Sequence, residues 1–201
     1  MRATISIAVS IVIGSIIFIS SCSQRTRANT ENSNPLESFY ELSAKTIDGE
    51  TVSMSQFEGK KVLIVNVASE CGYTPQYESL QKLYSMNQDN LHILAFPSND
   101  FMNQEPGSAS EIKNFCRVNF GVKFDIFEKV SVTGVTIHPI YSWLSSKKSN
   151  GWNEQKPNWN FNKYLIDENG KLIGYWASAI DPLSDSILNK INNKSNFVEL
   201  Y

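Results

Sequence analysis

A chain of 201 residues, 41% of them hydrophobic, carries enough apolar material for one domain with a substantial core. The formal net charge is −2, with neither a basic stripe nor a strong acidic excess. Nucleic acid is therefore excluded as an expected partner, and long-range steering of charged substrates is weak.

The chain opens with Arg2 and then an uncharged apolar run, "TISIAVSIVIGSIIFIS", which reads as a targeting segment outside the fold or, being close to spanning length, as an uncleaved membrane anchor. It ends in "ISSC", Ile19 to Cys22. Small residues directly before a cysteine resemble the lipobox of a bacterial lipoprotein, although isoleucine opens the box where leucine is usual. That resemblance implies a signal peptide over residues 1–21, cleavage before Cys22 and lipidation of its thiol. Ser23 in place of aspartate points to the outer membrane, so the expected location is the periplasmic side of the cell envelope. Residues 22–35 are polar and aperiodic, as expected of a tether. The folded domain is expected over 36–201, with no further linker.

Tyr40 to Met54 alternates in polarity and contains Asp48-Gly49, a hairpin signal. "KVLIVNVA", Lys61 to Ala68, is apolar on both faces and β-branched, which predicts a central, buried, parallel strand. Thr74 is placed to cap a helix with Pro75 at its first position. Leu91 to Pro97 reads as the next strand. Ser108 and Glu111 form a capping box ahead of a helix carrying Cys116. A further helix is expected over Ile137 to Lys148, a hairpin over Lys163 to Ser178 turning at Asn169-Gly170, and a last helix from Pro182 to Asn193. This order predicts an α/β domain with a central mixed sheet and helices on both faces, the outline of a thioredoxin-like fold.

Ligand and reaction sites of parallel strands lie beyond their carboxyl ends. Cys71 stands there, before a helix N-terminus, where backbone N–H groups and the helix dipole favour a thiolate. Position alone leaves a second reading open, a small buried hydrophobe. The pair Cys71 and Cys116, in an exported protein, equally admits a structural disulfide. His92 and His138 share no metal-ligand spacing, and no cofactor motif is present.

Three blocks go further. "NVASECGYTPQYESLQKLY", "FPSNDFMNQEPG" and "WNFNKYLID" resemble, in order, the signature blocks of the glutathione peroxidases, a similarity spanning roughly Phe39 to Ile191. The resemblance implies that Cys71 is the peroxidatic residue and that Gln104, Trp159 and Asn160 complete its tetrad. Their side-chain N–H groups are donors that, aimed at the sulfur, would stabilise a thiolate and orient a hydroperoxide. Attack on the peroxide would give a sulfenic acid at Cys71.

Cys116 matches the resolving cysteine of the thioredoxin-dependent branch of that family. The resemblance implies an intramolecular disulfide with Cys71, reduced by a thioredoxin-like partner. A disulfide needs Cα atoms within about 7 Å, which a cysteine on another helix is expected to reach only by local unfolding. The second family cysteine is replaced by Ser98. The short polar link from Trp143 to Trp159 lacks the insertion used by tetrameric members and has no basic cluster for glutathione carboxylates, so a monomer and a thioredoxin donor are expected. Two alternatives are a thioredoxin-fold thiol–disulfide oxidoreductase, disfavoured because Cys71 has no CxxC partner, and a non-catalytic lipoprotein with a structural disulfide.

Overall fold

A computed structural model describes residues 36–192, together with the backbone of a strand at Thr26–Ala28. The segment expected to be a signal peptide, Cys22 and the rest of the expected tether lie outside the described residues. The strands are β1 (Thr26–Ala28), β2 (Ser43–Lys45), β3 (Thr51–Ser53), β4 (Lys61–Val67), β5 (Leu91–Pro97), β6 (Asp125–Ile126), β7 (Lys163–Ile166) and β8 (Leu172–Trp176). The helices are α1 (Gln76–Met86), α2 (Ala109–Phe120), α3 (Pro139–Leu144), α4 (Lys147–Asn150) and α5 (Asp185–Asn192).

The main sheet runs β1-β8-β7-β4-β5-β6. Strands β4, β5 and β6 are parallel, whereas β7 joins β4, and β8 joins β7, in antiparallel register. This is the expected mixed sheet. Side chains of β4 alternate between two apolar clusters, one on each face, as a strand period of two requires. Leu63, Val65 and Val67 pack with Tyr77, Leu80, Ile112 and Ile187 of α1, α2 and α5. Val62 and Ile64 pack on the other face with Phe96, Phe127, Tyr141 and Tyr164. Burial on both faces explains why β4 is apolar from Val62 to Val67 except at Asn66.

Several expectations shift in detail. The Asp48-Gly49 hairpin forms, with Gly49 at φ 87° and β2 paired to β3. The Asn169-Gly170 turn forms as well, with Gly170 at φ 78°. The helix expected over Ile137 to Lys148 is two short helices. Ser145 Oγ donates to Tyr141 O (2.6 Å), and the Ser146 side chain accepts from Ser149 N–H (3.3 Å). Adjacent serines thus bond the backbone locally and restart the helix. The last helix begins three residues late, because Asp181 holds Leu183 and Ser184 in a preceding turn. Thr26–Ala28, within the segment read as tether, pairs antiparallel with Gly174–Trp176 at the edge of the sheet.

Candidate active site

The chain leaves β4 at Val67 and makes a tight turn before α1. Thr74, expected as a helix cap, does something different here. Its hydroxyl donates to Ala68 O (2.8 Å) and accepts from Cys71 N–H (3.0 Å). Helix α1 has no side-chain cap, and Pro75 takes the cap position. Thr74 is therefore the pin of the cysteine loop: its N–H also bonds Cys71 O at 3.0 Å. Cys71 as a residue is 8% exposed, and its thiol accepts a hydrogen bond from Tyr73 N–H at 3.4 Å. That donor comes from the turn leading into α1, as the placement before a helix N-terminus predicts.

The second loop follows β5. Met102 and Asn103 adopt left-handed backbone at φ 53° and 54°, a conformation strained for side-chain-bearing residues that asparagine tolerates better than most. The loop is held in several places. Asn99 Oδ1 accepts from Glu105 N–H (2.8 Å), and Asp100 Oδ2 accepts from Val132 N–H (2.6 Å) and Thr133 N–H (3.0 Å). Gln104 then reaches the cysteine loop through its backbone, accepting from Glu70 N–H at 3.0 Å.

The third segment precedes β7. Asn160 is fully buried, and its Nδ2 donates to Gln104 Oε1 at 2.9 Å. Trp159 is half-buried and packs on Phe101, with ring centroids 5.7 Å apart. Glu70–Gln104 and Asn160–Gln104 hydrogen bonds thus join all three loops beside Cys71. The Asn160 amide divides its donors. One N–H of its amide goes to Gln104 Oε1, leaving the group a second N–H, while the Gln104 backbone is held by Glu70 N–H and Phe101 O.

What positions Trp159 and Asn160 is Asn66, the polar interruption of β4. Its Nδ2 donates to Trp159 O (2.9 Å), its Oδ1 accepts from Asn162 N–H (3.0 Å), and its backbone O accepts from Phe161 N–H (2.6 Å). Phe161 sits at φ 62°. The Asn162 side chain closes the frame, donating to Trp159 O (2.7 Å) and Ser178 Oγ (3.0 Å) and accepting from Tyr175 Oη (2.6 Å). Asn66 and Asn162 escaped the sequence reading, although an asparagine inside an otherwise apolar strand is itself a signal.

Cys116 lies near the C-terminal end of α2, its carbonyl accepting from Val122 N–H (3.3 Å), and is completely buried. Both Cys71 and Cys116 are free thiols and both line the same apolar cluster. Burial pushes the Cys116 thiol up to about 11, with Glu105 adding to the rise and Tyr77 opposing it. His92 packs its ring against Phe57 at 5.0 Å. His138 caps α3, its Nδ1 accepting from Ile140 N–H at 3.3 Å.

With this geometry in place, likeness to known proteins is decisive. The family model described as glutathione peroxidase matches residues 39–145. The chain belongs to the glutathione peroxidase family. A glutathione peroxidase of Lactococcus lactis is 47% identical over 145 residues, covering 72% of this chain and 92% of that one. A glutathione peroxidase-like peroxiredoxin of Saccharomyces cerevisiae is 45% identical, covering 73% and 91%. A hydroperoxy fatty acid reductase of Synechocystis is 44% identical, covering 71% and 88%. Among solved structures, Trgpx in its apo form superposes with a TM-score of 0.61 at 34% identity, covering 79% of this chain and 97% of that one. T. cruzi GPX1 gives 0.59 at 29%, covering 77% and 93%. The fold is thioredoxin-like and the protein is a thiol peroxidase that reduces hydroperoxides.

Proposed function

We propose that Cys71 is the peroxidatic nucleophile, set in a site built by Gln104, Trp159 and Asn160. The observation that carries this is the pair of hydrogen bonds on Gln104, from Glu70 N–H and Asn160 Nδ2, which tie the three signature loops together beside the sulfur. The Cys71 thiolate attacks one oxygen of the hydroperoxide. The S–O bond forms as the O–O bond breaks, and a proton joins the departing oxygen to give water or an alcohol. Tyr73 N–H supports the thiolate before attack. Neutral donors around the reacting atoms stabilise charge that shifts toward the leaving oxygen.

Cys116 resolves the sulfenic acid, and a thioredoxin-like dithiol reduces the resulting disulfide. The loops around Cys71, residues 69–75, 98–107 and 155–162, contain one lysine, Lys156, against Glu70, Asp100 and Glu105. Such a surface offers little to the two carboxylates of glutathione. A monomer, lipidated at Cys22 and held on the periplasmic side of the outer membrane, would meet organic and lipid hydroperoxides directly.

Steady-state turnover of hydrogen peroxide and an organic hydroperoxide, with thioredoxin or glutathione as donor, tests this reading. Thioredoxin should sustain turnover, Cys71→Ser should abolish it, and Cys116→Ser should lose the thioredoxin-driven cycle while keeping the first oxidation. Full thioredoxin-driven turnover by Cys116→Ser, or equal turnover with glutathione, would overturn the resolving assignment.

A further inference from the structure

The register of the main sheet carries the level of the reacting loops out to its first strand. Thr26 pairs with Trp176, Trp176 with Lys163, Lys163 with Val65, Val65 with Ala95 and Ala95 with Ile126, one residue from each strand of the sheet. Strand β1 is antiparallel to β8, and β8 runs the same way as β4. The chain ahead of Thr26 therefore leaves the sheet at the edge where β4 delivers Cys71. Cys22 stands four residues before Thr26, and four residues span at most about 14 Å. Turning back toward the opposite edge would use about 13 Å merely to regain the level of Lys61. The turn at 87–90, whose Asn90 O accepts from Lys61 N–H, would still lie beyond it.

Two exposed apolar side chains stand at the same edge. Met102 is 77% exposed on the loop after β5, and Val135 is fully exposed on the loop after β6. Single exposed apolar residues are ordinary, but these two share one support. Asp100 Oδ2 fastens the second loop to the first by accepting from Val132 and Thr133 N–H. His138 N–H closes that loop on Ser131 O (2.8 Å), leaving Val135 at its tip. The strand order sets β1 at one end of the sheet and β5 and β6 at the other. That is four to five strand spacings, about 19–24 Å, with the Cys71 loop between. Loops 69–75, 98–107, 127–138 and 155–162 carry Glu70, Asp100, Glu105 and Glu128 against Lys129 and Lys156, so this edge has no attraction for anionic headgroups.

We propose that this edge is the membrane-facing surface of the domain: Met102 and Val135 enter the headgroup boundary of the bilayer across the edge from the lipid on Cys22, and Cys71 between them faces hydroperoxides carried by membrane lipid. The proposal rests on lipidation of Cys22. An anchor alone leaves the domain free to tumble, whereas a second contact across the edge holds it flat. Two side chains are too few to bind a bilayer from solution, but the anchor supplies the local concentration that makes their burial effective. Recognition is by apolar insertion into a neutral lipid surface, so salt does not weaken it.

The test places the lipidated chain in phosphatidylcholine vesicles and labels exposed methionines by hydroxyl radicals from brief water radiolysis, read by mass. Met86 is the internal reference: it is 62% exposed and ends α1, which returns from the Cys71 edge to the start of β5. Met102 should label about fivefold less than Met86 at low and high salt alike. Comparable labelling of the two, or protection of Met86 with Met102 open, would overturn the proposal. The double variant Met102→Asn, Val135→Ser keeps a residue that tolerates left-handed backbone at position 102. It should reduce phosphatidylcholine hydroperoxide in the same vesicles about tenfold more slowly. Its rate with hydrogen peroxide should stay within about twofold of the wild type, as for surface substitutions. An unchanged rate with the lipid hydroperoxide, or equal losses with both substrates, would also overturn it. A chain whose mass shows no lipid on Cys22 would overturn the anchoring reading and this proposal with it, whereas a lipidated chain with Met102 open overturns the proposal alone.

Discussion

Replacing Asn66 by leucine probes the framework of the site without touching any reacting atom. Leucine matches asparagine closely in shape, yet it removes the hydrogen bonds to Trp159 O and from Asn162 N–H. Trp159 O keeps its second donor, Asn162 Nδ2 at 2.7 Å. Asn162 N–H loses the partner that Asn66 Oδ1 provides, and an orphaned buried donor costs about 1–3 kcal/mol, with about 1 kcal/mol more for the other lost bond. Phe161 sits between them in left-handed backbone at φ 62°, a conformation that itself costs about 1–2 kcal/mol and persists only when its surroundings enforce it. A loss of about 3 kcal/mol lowers Tm by about 6–12 °C in a domain of this size. The kinetic effect is separate. Trp159 and Asn160 no longer hold one position, and a displacement of about 1 Å at a catalytic group can cost about a hundredfold in rate. Thermal unfolding and stopped-flow oxidation by hydrogen peroxide measure the two effects on one preparation. A variant with unchanged Tm and an unchanged oxidation rate would refute the idea that Asn66 holds the third loop.

Two further predictions concern α2 and the sheet. Ser108→Ala removes the capping box that begins α2, at about 1 kcal/mol, so the helix opens more often and releases Cys116; disulfide closure after peroxide should accelerate about fivefold, and an unchanged rate would show that closure does not require α2 to open. Lys163 is buried with its Nζ on Gln76 Oε1 (2.5 Å), Ser178 O (3.1 Å) and Ile180 O (2.6 Å), and burial lowers it to about 7 despite Asp181. Between about 7 and the ordinary lysine value the unfolded chain binds more protons than the native one, so stability from this group rises with pH; in denaturant titrations at about pH 6.5 and 9, below that window and well inside it, wild type should gain on Lys163→Met, and a constant difference would contradict the shift.

How far the sequence reaches depends on the range of the interactions. The apolar runs of β4 and β5, the Ser108–Glu111 box and the two glycine turns are local patterns, and each forms where its residues predict. Short-range competition blurred others: Thr74 has cap chemistry, but its hydroxyl finds Ala68 O and Cys71 N–H nearer than the helix end. Ser145 and Ser146 likewise divert a helix that periodicity alone would continue. The four positions proposed as a tetrad stand out through their motif blocks, yet the groups that hold them do not. Asn66 meets Asn162 across 96 residues of sequence, and Gln104 meets Asn160 across 56. No spacing rule encodes such pairings.

The central claim, that the sulfur of Cys71 reacts with the hydroperoxide, is tested most directly by trapping its product. Reduced Cys116→Ser protein, given one equivalent of hydroperoxide in the presence of a sulfenic-acid reagent such as dimedone, should carry the tag on the peptide containing Cys71. A tag elsewhere in the chain, or an untagged and still reduced Cys71 after the peroxide has been consumed, would contradict the account.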